Sequence, residues 1–131
     1  MHVNFLAIVV ATTVSLGLGS IWYSPVLFGK VWQRASGTGA ATSRSGNMAL
    51  TFGGAFALML VASFVFAMFL GPRPSIPFAT GAGFAAGLCW VTTSFGVNYL
   101  FERRSFALFA INGGFHTLQF TLMGLILGVL P

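Results

Sequence analysis

The residues best suited to chemistry lie in one long apolar stretch in the last quarter of the chain. Asn112, His116 and Gln119 are spaced at i, i+4 and i+7, which places them on one helix face that Met123 extends. His116 lies roughly 16 Å into the stretch at the helical rise, near the middle of a bilayer. A histidine at that depth is expected to be a proton relay, a metal or haem ligand, or a polar anchor for a neighbouring helix.

A second polar pair, Asn98 and Glu102, is spaced one helical turn apart. We predict that Asn98 joins Asn112, His116 and Gln119 in an intramembrane polar site. Glu102 is the only acidic residue of the chain, so neither a pair of catalytic carboxylates nor a Ser-His-Asp set can form. A metal site also needs several His, Cys, Asp or Glu ligands, and the sequence places no such set around His116. We therefore expect no catalytic residue, no metal, no cofactor and no enzyme.

Glu102 is predicted to pair with one of the cations expected on its side of the membrane: Lys30, Arg34 or Arg104. Two roles are open for such a pair. It would either lock a surface helix to the second half of the chain, or act as a gate or substrate contact.

The composition indicates where these residues work. Of 131 residues, 56% are hydrophobic and only 5% are charged, whereas soluble domains are about a quarter charged. This excludes a soluble enzyme and a disordered tail, and a net charge of +5 from scattered cations is not a nucleic-acid-binding patch. The expected surroundings are therefore the lipid bilayer.

Four apolar stretches, at about 3–22, 48–70, 76–100 and 105–130, contain no Lys, Arg, Asp or Glu. About 20 helical residues cross a hydrocarbon core of about 30 Å. In lipid each backbone polar group must be satisfied within the segment, which favours helices. The sequence predicts an all-α integral membrane protein, with residues 1–131 forming one four-transmembrane-helix bundle.

A short amphipathic helix is predicted at about 24–35, after the first span. Ser24 is a suitable N-cap and Pro25 suits the first helical position. Lys30 and Arg34 lie opposite an apolar face, as in helices that rest on anionic lipid. The aromatic residues expected at the level of the lipid headgroups are Trp22, Tyr23, Phe28 and Trp32.

The cations outside the spans set an orientation. Loops one and three carry five of them and loop two carries one, Arg73. The positive-inside rule therefore predicts that loops one and three are cytoplasmic and that both termini face outward. Loop one includes a polar segment, Ser36–Asn47, that is expected to be flexible.

Small residues recur at every fourth position in the third and fourth stretches: Ala79, Gly83, Gly87, Gly124 and Gly128. Such a face either closes the bundle internally or docks another copy. The pairs Thr12-Thr13 and Thr92-Thr93 suggest a parallel repeat of two-helix units. Cys89, in an apolar run, is expected to be a small buried side chain.

Three motifs resemble those of a known family. They are WYSPVLFGKVW at 22–32, NYLFE at 98–102 and NGGFH at 112–116. Across nearly the whole chain they are similar to a bacterial membrane family known as domain of unknown function 1761. The resemblance implies a four-helix protein of the bacterial inner membrane and implies no activity.

Two hypotheses for function follow. The first is a structural or accessory protein that forms a homo-oligomer or joins a membrane-protein complex. The alternative is an oligomeric transporter or channel for ions or small solutes, with a polar path near His116. A membrane enzyme or cofactor carrier is a third and weaker hypothesis, because His116 has no second ligand nearby in the sequence.

Overall fold

The computed structural model describes residues 3–37 and 48–130, and that part of the chain is helices joined by short turns without a β-strand. The elements in order are α1 (Phe5–Trp22), α2 (Gly29–Ser36), α3 (Met48–Leu70), α4 (Ile76–Ala86), a π-helical segment (Gly87–Thr92), α5 (Thr93–Glu102) and α6 (Phe106–Val129). The elements from α4 to α5 follow one another without a break and form the third long helix, Ile76–Glu102. Most of the predicted polar loop Ser36–Asn47 lies outside the described residues.

Among the described residues, three helices are long and apolar enough to cross a membrane: Phe5–Trp22, Met48–Leu70 and Ile76–Glu102. The all-helical prediction is thus confirmed, and three of the predicted spans have the required length and composition. Helix α6 is not among these three. Its amide, imidazole and hydroxyl side chains lower its mean hydropathy, although it carries no formal charge.

The helices begin at caps that the sequence supplies. The side-chain oxygens of Asn4, Ser75 and Ser105 each accept a hydrogen bond from the backbone N–H three residues further on. These bonds satisfy backbone donors that would otherwise be free at the start of α1, α4 and α6. Helix α3 ends at Gly71, whose φ of +79° is a backbone conformation that glycine adopts without strain. The chain then turns sharply into α4.

The third long helix and α6 form a hairpin that is closed by glycines. We call the five small residues at this contact the seam: Ala79, Gly83, Gly87, Gly124 and Gly128. A Cβ atom added at Gly83 would collide with the Phe120 carbonyl oxygen, and one at Gly124 would collide with the carbonyl oxygen of Ala79. The two backbones therefore touch. These residues were predicted either to close the bundle internally or to dock another copy, and the structure shows them packed inside the chain.

Helix α3 packs against α1 only toward its C-terminal end. Its buried residues are Ser63, Phe66, Ala67 and Leu70, all in the second half. At Gly53 and Gly54, in the first half, an added Cβ would meet nothing within 4 Å. The apolar core accordingly lies where α1 begins and α3 ends, around Ile8 and Met123.

The surface helix begins five residues later than predicted. Ser24 does not cap it, because its hydroxyl donates to the Ile21 carbonyl oxygen (2.7 Å) at the end of α1. Instead the Gly29 N–H donates to the Ser24 carbonyl oxygen (2.9 Å) and closes a turn. A Cβ at Gly29 would collide with the Tyr23 carbonyl oxygen, so this turn needs a glycine there. The helix at 24–35 is thus corrected to Gly29–Ser36.

Candidate functional site

Asn112 on α6 holds two tyrosines, one from each half of the chain. The Tyr23 hydroxyl, just after α1, donates to Asn112 Oδ1 (2.5 Å). Asn112 Nδ2 in turn donates to the Tyr99 hydroxyl oxygen on α5 (2.6 Å). Burial, together with the nearby Tyr99, raises the pKa of the Tyr23 phenol, which keeps it a hydrogen-bond donor. We call this arrangement the Tyr–Asn–Tyr bridge.

His116 lies one turn further along α6, between two aromatic rings. It stacks on Phe95 with ring centroids 5.0 Å apart, and Phe115 meets it nearly edge-on at 4.9 Å. His116 Nδ1 lies 2.8 Å from Oε1 of the buried Gln119. An amide oxygen only accepts, so this contact is a hydrogen bond when Nδ1 carries the proton. The arrangement is that of a ring held by stacking and one hydrogen bond.

The four aromatic residues predicted at the headgroup level come together where α1 ends and α2 lies over α6. The Trp22 and Phe28 rings are 4.7 Å apart, and the Tyr23 and Trp32 rings are 5.4 Å apart. The Trp22 indole N–H donates to the Ile111 carbonyl oxygen (3.0 Å). This contact fixes the end of α1 to α6, since a buried indole N–H needs a partner.

The π-helical segment directs a hydroxyl into the contact between the third long helix and α6. Thr92 Oγ1 lies 2.8 Å from the Gly87 carbonyl oxygen, five residues earlier, and 3.0 Å from that of Gly113. It also lies 3.1 Å from the Thr117 hydroxyl. Segments of this kind occur mostly as single turns in α-helices, often at functional sites.

The first half of the chain contains a similar threonine contact. Thr12 Oγ1 donates to the Ile8 carbonyl oxygen (2.8 Å) and lies 3.2 Å from the Ser63 hydroxyl on α3. In both halves, a threonine thus bonds to its own helix and reaches a hydroxyl on the next one. The parallel two-helix repeat stays a prediction, to which this correspondence lends support.

Asn98 does not join the predicted intramembrane polar site. Its side chain is exposed, whereas the neighbouring Tyr99 is half-buried and takes part in the bridge. Adjacent residues on a helix face directions about 100° apart, so only one of the two meets α6. Asn112, His116 and Gln119 do lie together on α6, where the first forms the bridge and the other two bond to each other.

The predicted cytoplasmic ion pair forms with only one of the three candidate cations. Glu102 pairs with Arg104 at 3.3 Å, and both side chains are exposed. Within the described residues Lys30 and Arg34 make no ion pair with Glu102. The expected lock between α2 and the second hairpin exists through another contact, because Arg104 Nη1 donates to the Ser36 carbonyl oxygen (3.4 Å). The reason is positional, since the end of α2, rather than its charged face, reaches the α5–α6 turn.

The described part of the chain holds no group of three His, Cys, Asp or Glu residues placed to bind a metal ion. Cys89 is exposed, contrary to the expectation that it is buried. It lies on the side of the third long helix that faces away from the seam.

Two residues of this region, Phe95 and Tyr99, were missed in the sequence, and Thr92 was noted there only as part of the Thr92-Thr93 pair. Tyr99 belongs to the motif NYLFE, in which Asn98 was predicted as the site residue instead. Thr92 continues the seam at a spacing of five rather than four, so a search for every fourth residue passes over it. Phe95 had no distinguishing signal among fifteen phenylalanines.

Comparison with known proteins gives one match. No curated protein and no solved structure matches the chain. A family model described as "Protein of unknown function (DUF1761)" matches residues 6–128. This range runs from α1 to α6 and includes the bridge, the seam and the surface helix. The chain therefore belongs to the DUF1761 family.

Proposed function

We propose that the chain is a four-span protein of the bacterial inner membrane that serves as a structural or accessory component. It would assemble with further copies of itself or with a larger membrane complex. One contrast carries the proposal. Asn112, Gln119 and Nδ1 of His116 on α6 are bonded to partners inside the chain, whereas a Cβ added at Gly53 or Gly54 on α3 would meet nothing within 4 Å in the described part of the chain.

The fourth span is supported by the length and surroundings of α6. Its 24 residues extend about 36 Å, enough to cross a core of about 30 Å. Its polar side chains meet tyrosine, threonine and glutamine groups of this same chain, so they need not face lipid. A span with such internal partners tolerates a lower hydropathy.

The proposed orientation places both termini outside and loops one and three in the cytoplasm, on the strength of the cation bias. A protease-sensitive tag at the C-terminus tests it. Cleavage by protease added to intact spheroplasts is the expected result. A tag that is cleaved only after the membrane is opened would reverse the orientation.

Assembly is supported by the glycines of α3. Within the described part of the chain, a Cβ added at Gly53 or Gly54 would meet nothing within 4 Å, and a glycine inside a helix costs about 1 kcal/mol relative to alanine. A helix surface that faces only lipid gains nothing from them. Small residues do let a second helix backbone approach closely, which is how membrane helices associate. The first half of α3 is therefore the surface proposed to meet the partner.

Native mass spectrometry of the gently extracted protein tests assembly. We expect a defined oligomer, or co-extraction of larger membrane subunits, and Gly54→Leu should reduce either. Gly17→Leu is the matched control, because Gly17 on α1 also has nothing within 4 Å of an added Cβ. A monomer without co-extracted subunits would end the proposal, as would equal assembly of both variants.

A transporter is the second candidate, and two observations favour it. The π-helical segment lies against the His116 backbone, 2.8 Å from a Cβ placed at Gly87. In addition, His116 Nε2 has no hydrogen-bond partner among the described residues. His116→Ala separates the two functions. Loss of proton flux in reconstituted vesicles with assembly intact would support transport. Loss of assembly without a flux defect would support a structural role for His116 as a polar anchor between helices.

A further inference from the structure

A groove follows the outer side of the contact between the third long helix and α6. It has two parts, each lined by Phe109: the shallow part of about 300 Å³ beside the α5–α6 turn, and the deep part, an open surface depression of about 470 Å³ further from that turn along α6. We call it the Phe109 groove. Neither the Tyr–Asn–Tyr bridge nor the His116 contacts explain why such a space should exist here.

The shallow part of the Phe109 groove carries hydrogen-bond donors. Arg104 lines it, and a guanidinium has five N–H groups. In the described part of the chain the Arg104 side chain makes only two hydrogen bonds, one to Glu102 and one to the Ser36 carbonyl oxygen. N–H groups therefore remain for an anion such as a phosphate.

Tyr99 lines the same part of the groove, and its hydroxyl group can donate a further hydrogen bond. Its hydroxyl oxygen accepts from Asn112 Nδ2, and its own proton goes to no acceptor among the described residues. A half-buried phenol normally finds such an acceptor. The shallow end of the groove thus offers an arginine and a phenol to an acceptor group that the chain itself does not provide.

The deep part is apolar, and the whole groove has about the length of one lipid leaflet with its headgroup region. Its walls include Phe84, Leu88 and Leu118. On α6 the lining of the whole groove runs from Ser105 to Thr121, about 24 Å at the helical rise. One leaflet contributes about 15 Å of hydrocarbon, and the headgroup region lies beyond it. The groove therefore changes from polar to apolar over the same distance as a phospholipid.

We propose that the Phe109 groove binds an anionic phospholipid. The phosphate lies at Arg104 and Tyr99, and an acyl chain passes Phe109 into the deep part. Charge complementarity selects this occupant, because the polar end offers a cation to an anionic headgroup. This goes beyond the proposed assembly function and requires only that the chain lies in a bilayer. Glu102 competes with the headgroup, since it holds Arg104 in the free protein.

Native mass spectrometry of the full-length protein, titrated with phosphatidylglycerol or phosphatidylcholine, tests the headgroup part. Wild type should retain phosphatidylglycerol preferentially, and Arg104→Gln should weaken its retention about fivefold, a typical value for one cation at a membrane surface. Arg103→Gln is the matched control, because Arg103 does not line the groove. Glu102→Gln should strengthen retention, since it frees Arg104.

The acyl-chain part is tested on α6. Ala110→Phe fills the deep part and should reduce retention of both lipids. Ala107→Phe places the same ring on the same helix outside the groove and should leave retention unchanged. Helical circular dichroism of each variant establishes that the chain is folded before binding is compared.

Three outcomes would overturn the proposal. Equal losses for Arg103→Gln and Arg104→Gln would indicate general charge attraction. Equal retention by folded Ala110→Phe and Ala107→Phe would show that no chain enters the groove. A dimer that Ala110→Phe dissociates, without lipid adducts on the wild type, would mean that a second copy occupies it. The assembly test at Gly54 is independent of all three, so either proposal can fail alone.

Discussion

The two hairpins of this protein are built from helices of similar length, yet they are held together differently. In the second hairpin, the third long helix meets α6 along the seam, where backbone touches backbone. In the first, α1 meets α3 around Thr12 and Ser63, and α3 is continuously exposed only in its first seven residues, 48–54. In lipid, apolar surface alone does not drive helices together. Small residues at facing positions therefore decide which pair closes.

The two hairpins are joined at two places, the apolar core around Ile8 and Met123 and the Tyr–Asn–Tyr bridge at the other end of α1. Tyr23 follows the first helix of one hairpin, and Asn112 and Tyr99 belong to the other. The contact of Trp22 with the Ile111 carbonyl oxygen reinforces the junction. The loose hairpin is thus fastened at the end where α1 stops, while the first half of α3 remains without this support.

The largest expected effect is on the seam. Gly83→Ala should lower the free energy of unfolding by about 3 kcal/mol, because the new Cβ meets a backbone oxygen that cannot move aside. Gly54→Ala on α3 should instead raise it by up to about 1 kcal/mol through helix propensity. Titration with a denaturing detergent, followed by circular dichroism, measures both. Similar values for the two variants would contradict the contrast between the hairpins.

The second largest loss in the free energy of unfolding is expected at the Tyr–Asn–Tyr bridge. Asn112→Ala leaves two phenols without their partner and is expected to cost about 2 kcal/mol by the same titration. Asn98→Ala, on an exposed position of α5, is the control and should change little. If the two asparagines prove equally important, the junction between the hairpins has been placed wrongly.

The two threonine contacts should differ by less. Thr92→Val is expected to cost about 1 kcal/mol, because the Thr92 hydroxyl reaches Gly87, Gly113 and Thr117. Thr12→Val, which removes fewer contacts, should cost about half as much. A larger loss for Thr12→Val would show that the first hairpin depends more on its hydroxyls than the structure suggests.

The smallest effect is expected at the surface. Arg104→Gln removes the hydrogen bond to the Ser36 carbonyl oxygen and should change the free energy of unfolding by less than about 1 kcal/mol. Hydrogen exchange should nevertheless quicken in α2 (Gly29–Ser36), because the end of this helix loses a contact. Unchanged exchange in α2 would mean that the aromatic contacts of Trp32 and Tyr23 hold it alone.

The helices were predictable from the sequence, but the directions they face were not. Runs without charge end where Gly71 and Arg103 turn the chain, so the bounds follow from hydropathy and punctuation. The helices are apolar on every side, however, and such a helix carries no pattern that marks its inner face. That is why Asn98 was predicted in place of Tyr99, and why Cys89 was expected to be buried.

Backbone conformation explains the other differences between the sequence-based predictions and the structure. The late start of α2 depends on a hydrogen bond from the Gly29 N–H to the Ser24 carbonyl oxygen, which side-chain preferences do not report. The choice of Arg104 as the partner of Glu102 depends on the sharp turn at Arg103, whose φ is +58°. By contrast, the seam was found by its spacing, because close approach of helices needs small residues at fixed intervals.

The π-helical segment affects how the length of the third long helix can change. From Ala79 the positions that touch α6 advance by four to Gly83 and Gly87, then by five to Thr92, and again by four to Gly96, which meets Phe109. The wider turn absorbs the extra residue. A homologue that has lost one residue within Gly87–Thr92 would therefore keep both flanking stretches against α6 in an unbroken α-helix. An insertion or deletion elsewhere in the seam would rotate half of it into the lipid.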